Sequence, residues 1–158
     1  MRELILLRHA HAEPAADGQA DLDRPLSPHG LAEAEAAGRW LQENKLVPDR
    51  VLCSPARRSR ETLEAVLERT GYVEQRLEER IYDAAPGTLA ALLDEHNEVE
   101  RVLVVGHNPG LEQLVALLNS GQTGDYRGMP PASVAVLSLP KDSPIEPGIA
   151  KLTAFWWP

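Results

Sequence analysis

Apolar residues along this chain fall into two repeating patterns. Short unbroken runs, ELILL at Glu3–Leu7, RVLC at Arg50–Cys53 and RVLVV at Arg101–Val105, are bounded by polar residues and predict buried strands. Further strands are predicted at Ala132–Leu139 and Ile149–Trp156, and a more charged one around Val73–Glu79. Between these runs the spacing becomes helical. Leu111, Leu114, Val115 and Leu118 recur at i, i+3, i+4 and i+7. Leu63, Val66 and Leu67 share one face, and Leu89, Leu92 and Leu93 mark a helix after Pro86-Gly87. The alanine-rich run LAEAEAAGRWLQENK turns Leu31, Ala34, Trp40 and Leu41 to one side and its Glu and Lys side chains to solvent. Ser27-Pro28 and Ser54-Pro55 read as helix starts, a capping serine followed by proline in the first turn.

Strands alternating with helices over 158 residues predict a single domain, 1–158: a three-layer α/β/α sandwich with a mainly parallel central sheet. Such sheets bind ligands beyond the carboxyl ends of their strands. Three predicted strand exits carry basic groups: Arg8-His9, the segment Ser54-Pro55-Ala56-Arg57-Arg58, and Gly106-His107. The formal net charge is −8 with a pI near 5.1, so attraction of the whole molecule to nucleic acid or to an anionic membrane is not expected. Cations gathered at one sheet edge of an acidic protein predict an anion site there. No apolar run approaches the roughly 20 residues of a membrane span, ELILL is too short for a signal-peptide core, and the single Cys53 allows no internal disulfide. A cytoplasmic protein is the expectation.

RHAHAE admits three readings: a polar strand end, a metal site, or a nucleophile with its anion clamp. H-x-H after a first strand occurs in zinc-binding barrels, but these need roughly 200 residues or more. No H-E-x-x-H and no Cys/His ligand pair is present, so no metal is expected. The nucleophile reading requires a neutral imidazole, one nitrogen free and the other held as a donor by, for example, a backbone carbonyl. It also requires positive donors around the phosphoryl oxygens, where charge accumulates. Arg8 on a strand would point away from His9 and joins the same pocket only if the strand ends there. Cys53 does not begin a C-x5-R loop, because Ser59 takes the arginine position; it reads as a small apolar residue. Arg57 and Arg60 read as exposed, Arg58 as directed inward near first-turn amides that favour an anion. In VVGHNPG the glycines read as flexible turn residues, and a charged His107 as a phosphate donor.

RHAHAE, DLDRPLSPHG, CSPARRSRET and VVGHNPG occur in the order seen in the histidine phosphatase superfamily, whose fold is phosphoglycerate-mutase-like. With RPLS, RIYDA and the terminal LTAFWWP, the chain resembles most the compact SixA-type phosphohistidine phosphatase branch. The resemblance implies that His9 accepts the phosphoryl group covalently and water then hydrolyses it. It places the family pattern S-P-x-x-R-[AS]-x-x-T on Ser54, Pro55, Arg58, Ser59 and Thr62, so that Arg8, Arg58 and His107 hold the phosphate. Phosphate or vanadate is the implied ligand, and neither metal nor organic cofactor is implied.

Two departures from the family pattern matter. Ala10 replaces the R-H-G glycine, and its methyl group is expected to restrict the turn and narrow the mouth. The acid that protonates an alcohol leaving group in larger members has no aligned counterpart; Glu78, Glu79 and Asp83 are the nearest, with Glu79 and Asp83 the candidates and solvated surface charge the alternative for each. An alkoxide leaves poorly without a proton, whereas an imidazole can take one from water, so a weak or missing acid suits phosphohistidine. Asp23 and Arg24 are expected at the pocket rim, and Ser27 and Pro28 in a structural role. The expected function is hydrolysis of phosphohistidine on a partner protein, such as a phosphotransfer domain in signal transduction. The alternatives are a small phosphomonoesterase or phosphoanhydride hydrolase with the same pocket, or a non-catalytic phosphate-recognition domain. Trp156 and Trp157 are expected to complete the sheet and its cover.

Overall fold

The chain runs β1 (Glu3–Arg8), α1 (Pro28–Glu43), β2 (Arg50–Cys53), α2 (Arg57–Thr70), β3 (Glu74–Leu77), α3 (Pro86–Asp94), β4 (Arg101–Gly106), α4 (Gly110–Ser120), β5 (Val134–Ser138) and β6 (Lys151–Trp156). This is a computed structural model, and it describes residues 1–125 and 127–158. The strands form one sheet in the order β3-β2-β4-β1-β5-β6. β3, β2, β4 and β1 are parallel, and β5 and β6 join antiparallel at one edge.

Strand alternation splits the apolar residues between two cores. Leu4 and Leu6 of β1, with Leu52, Val102 and Val104, pack under Leu92 of α3 and Leu111, Leu114 and Leu118 of α4. Ile5 and Leu7, with Val51, Leu103 and Val105, pack under Ala37 and Leu41 of α1 and Leu63, Val66 and Leu67 of α2. Helices therefore cover both faces, as the alternating pattern predicts. β1 and β4 are neighbours, yet the helices that follow them lie on opposite faces. That makes the gap beyond their carboxyl ends the point where the winding reverses, the place where open α/β sheets bind ligands.

Local details correct several expectations. Ser27 caps α1 as predicted, accepting from the Gly30 N–H at 3.0 Å. Leu31, however, is 46 % exposed rather than inward. The first turn of α1 faces the small and charged residues Ala65, Glu61 and Glu64 of α2 across a surface groove, so no apolar layer lies beneath Leu31. Ser54 does not cap α2, which begins at Arg57 after Ala56; its hydroxyl is buried and accepts from the Ala56 N–H instead. β3 is only four residues long and wholly exposed, a short charged edge that discourages further pairing. At the other edge Trp156 stacks on Trp40 with ring centroids 5.8 Å apart, while Trp157 remains 54 % exposed, so only the first completes the cover. Among the described residues no helix is long and apolar enough to cross a membrane.

Candidate active site

β1 ends at Arg8, paired with Gly106 at the end of β4, and the His9 N–H donates to the Gly106 carbonyl at 3.0 Å. His9 and His107 therefore leave adjacent strands side by side, with ring centroids 5.1 Å apart. The Ser54 N–H, just past β2, donates to the Val105 carbonyl and brings the start of α2 to the same edge. Because β1 stops at Arg8, the alternation that would part Arg8 from His9 stops too. Past the sheet end His9 lies close enough to Arg8 and Arg58 to feel both of their charges.

His9 Nδ1 lies 2.8 Å from the Ala10 carbonyl oxygen, which can only accept, so Nδ1 carries the proton and Nε2 keeps its lone pair. Burial pushes the pKa of His9 down to about 4, with the positive charges of Arg58, Arg8 and Arg24 adding to the effect. His9 is therefore a neutral imidazole at pH 7. Burial and the neighbouring His9 and Arg58 lower His107 to about 3. The expectation of a charged His107 is corrected: in the free protein its ring is neutral, because a cation there would lie in a buried space already holding two guanidinium groups. His107 Nε2 is 2.7 Å from Ser54 Oγ and 3.5 Å from Ser59 Oγ, and the Tyr82 ring meets it edge-on at 5.5 Å.

The two arginines are held from outside the pocket. Arg8 donates Nη1 to the Met129 carbonyl at 2.8 Å, and burial lowers its pKa. Arg58, only 6 % exposed, donates Nη1 to the Asp21 carbonyl at 2.8 Å and Nη2 to Asp21 Oδ2 at 3.0 Å. Among the described residues four buried side-chain polar atoms have no partner, and two of them are Nε of Arg8 and Nε of Arg58. Unpaired buried donors cost free energy, so two charged ones beside a neutral histidine point to an oxyanion as their natural partner. Arg57 and Arg60 lie on the exposed face of α2, as predicted.

Other predicted residues are distributed differently. Ala10 is fully buried with Ala34, Ala65 and Ala132, and its N–H donates to Thr62 Oγ1 at 3.0 Å. Its methyl group therefore fills the core behind the pocket instead of narrowing the mouth, and the turn needs no positive φ there. Gly110 supplies room more than flexibility: a Cβ would lie 2.4 Å from the Ala84 carbonyl oxygen. The rim acid is Asp21, which sequence reasoning missed, two residues before the expected Asp23; Asp23 is exposed on the same single 3-10 turn, Asp21–Asp23. Arg24 is at the rim, donating Nε to the Glu13 carbonyl and Nη1 to Asp21 Oδ1 at 3.0 Å. Tyr82 was also missed, although it lies within RIYDA; its hydroxyl donates to Asp21 Oδ2. Glu78 pairs with Arg80, and Glu79 is exposed on a one-turn 3-10 helix. Asp83 is exposed and, with His107, Asn108 and Pro109, lines a pocket of about 250 Å³. His11 turns away from His9, its Nδ1 2.7 Å from Ser27 Oγ. The Cys53 thiol is fully buried and pushed up to about 12, which leaves it inert as a nucleophile.

The chain is similar to several known proteins. A profile described as the histidine phosphatase superfamily (branch 1) matches residues 4–98. An uncharacterized protein of Mycobacterium tuberculosis is 40% identical over 159 residues, covering 94% of this chain and 98% of its own. The phosphohistidine phosphatase SixA of Escherichia coli is 33% identical over 127 residues, covering 77% of this chain and 76% of its own. Among solved structures, the protein histidine phosphatase SixA complexed with tungstate superposes with a TM-score of 0.84 at 26% identity, covering 98% of this chain and 96% of that one.

Proposed function

The chain belongs to the histidine phosphatase superfamily, and from that premise we propose that this phosphatase hydrolyses phosphohistidine on a partner protein, in the cytoplasm, through a covalent intermediate on His9. The observation that carries the reading is the neutral His9, its Nε2 free, beside the unpartnered Nε donors of Arg8 and Arg58. In the first step His9 Nε2 attacks phosphorus as the substrate's N–P bond breaks, and the departing imidazole takes a proton from water. Arg8 and Arg58 hold the equatorial oxygens, and His107 contributes a further ring N–H donor. In the second step water attacks phosphorus, the His9–phosphorus bond breaks, and inorganic phosphate leaves. The tungstate in the SixA structure supports the same reading here, since that anion resembles a phosphoryl group in shape and charge.

His9→Ala is expected to abolish turnover while leaving the thermal midpoint near wild type. Rapid-quench mixing with a phosphohistidine protein should capture phosphate on His9 that then decays; turnover without such a species would sink the intermediate. A panel of phosphohistidine protein, free phosphohistidine, phosphoserine and a sugar phosphate tests the substrate class. One observation favours a second reading, a phosphomonoesterase: Asp83 lines the same pocket as His107, where a proton could reach an alcohol leaving group. Asp83→Asn should leave phosphohistidine hydrolysis within about threefold if that substrate needs no acid. A loss of about 100-fold with phosphoesters, the usual size of general-acid catalysis, would favour the second reading.

A further inference from the structure

We propose that Asp21 is a positioning residue for the phosphate clamp, fixing the far edge of the Arg58 guanidinium so that its Nε edge faces the phosphoryl group. The inference rests on the reading of Arg58 as a phosphate ligand. Asp21 holds Arg58 at two points: its carbonyl accepts from Nη1 at 2.8 Å and its Oδ2 from Nη2 at 3.0 Å. Those bonds take one N–H from each terminal nitrogen and leave Nε, buried and unpartnered, for the pocket. The carboxylate is itself fixed. Tyr82, from the segment following β3, donates to Oδ2, and Arg24 donates to Oδ1 at 3.0 Å. Tyr82 then packs edge-on against the His107 ring at 5.5 Å and lies 6.0 Å from the Arg58 guanidinium carbon. One carboxylate thus joins two rim segments to both the clamp and the second histidine. Its hydrogen bonds to Tyr82, Arg24 and Arg58 hold its pKa well below the usual carboxylate range, so it stays ionised in any working pH.

The physical need follows from the arginine side chain. A long side chain that must be ordered on binding weakens affinity, whereas a planar fork locked beforehand meets its ligand with little further loss. Asp21 also offsets one of the positive charges around His9, which lets Arg8, Arg24 and Arg58 crowd one neutral imidazole. A proton donor for the leaving group is a role this ionised carboxylate cannot fill.

Equilibrium binding of orthovanadate to the full chain tests the inference, with thermal midpoints measured alongside. Asp21→Asn keeps the shape but loses the charged acceptor, and is expected to weaken vanadate binding about tenfold, the range of a lost charge-assisted hydrogen bond. KM for the phosphorylated substrate should rise with it, by more than kcat falls. Tyr82→Phe, which removes one support of the carboxylate, should move binding the same way by less, and serves if Asp21→Asn does not fold. Asp17→Asn, on the exposed loop before the turn, should bind as wild type. In an Arg58→Ala background, Asp21→Asn should cost little more, because the arginine it positions is gone. Binding by Asp21→Asn or Tyr82→Phe that equals or exceeds wild type overturns the inference, as does a full Asp21→Asn loss persisting without Arg58. Wild-type affinity in Arg58→Ala alone would instead remove the clamp reading itself.

Discussion

Two imidazoles, those of His9 and His107, meet at the end of the sheet with ring centroids 5.1 Å apart. Free histidine titrates near 6.5, but burial and neighbouring arginines hold His9 near 4 and His107 near 3. The acid limb of kcat/KM is therefore expected close to pH 4, not 6.5, in a pH–rate profile with a phosphorylated substrate. Stability carries the same signature. As pH falls below 6.5 the unfolded chain takes up protons at both histidines while the folded chain resists until about 4 and 3, so the unfolded state binds more protons and stability falls. Chemical denaturation between pH 7 and pH 4 should show this decline, and His9→Gln or His107→Gln should each flatten it. Residue by residue, the meeting of Arg8, His9 and His107 at one sheet edge was legible because each sits where an apolar run ends, and Arg58 joins them from the first turn of the helix that follows β2. Asp21 was not, since nothing in DLDRPLS separates the acid that reaches Arg58 from the acid two positions later that faces solvent.

At the scale of elements, helical periodicity located every helix but not always the partner beneath it. Leu41 lies over the sheet and is fully buried, while Leu31, three turns earlier on α1, overhangs α2. Leu41→Ala should therefore cost about 2–5 kcal/mol in urea denaturation, and Leu31→Ala less than about 0.5 kcal/mol. Gly110 shows how an element's start can position a site from a distance. Its Cβ would meet the Ala84 carbonyl at 2.4 Å, so Gly110→Ala must push the segment carrying Tyr82 and Asp83 away from α4. A loss of about 1–3 kcal/mol is expected, with a drop in kcat/KM larger than the thermal shift alone explains. Ser54 belongs to this scale too: S-P looks like a cap, but α2 starts three residues later and the hydroxyl is taken by the Ala56 N–H and by His107.

For the molecule as a whole, an acidic chain of net charge −8 concentrates its useful positive charge at one sheet edge. Vanadate at 100 times its Kd should raise stability by about 2.7 kcal/mol through binding to the folded state only, read as an increase in thermal midpoint. That increase should be much smaller in Arg58→Ala at the same vanadate concentration. On the proposal that Arg8 and Arg58 supply the positive charge for the phosphoryl oxygens, turnover is expected to be the same in excess EDTA as in buffer alone.

The order of strands and helices, the sandwich class, the family and the gathering of Arg8, His9, Arg58 and His107 at one sheet edge could be read from the sequence, because burial imposes short-range periodicities of about 2 and 3.6 residues and strand ends are marked by where those periodicities stop. The contacts that join distant segments were decided only by the folded chain: Asp21 on Arg58 and Tyr82, Met129 on Arg8, the methyl of Ala10 in the core, Leu31 at the surface. Sequence spacing says which way a side chain leaves its own backbone. It does not say what another segment, many residues away, will place in front of it.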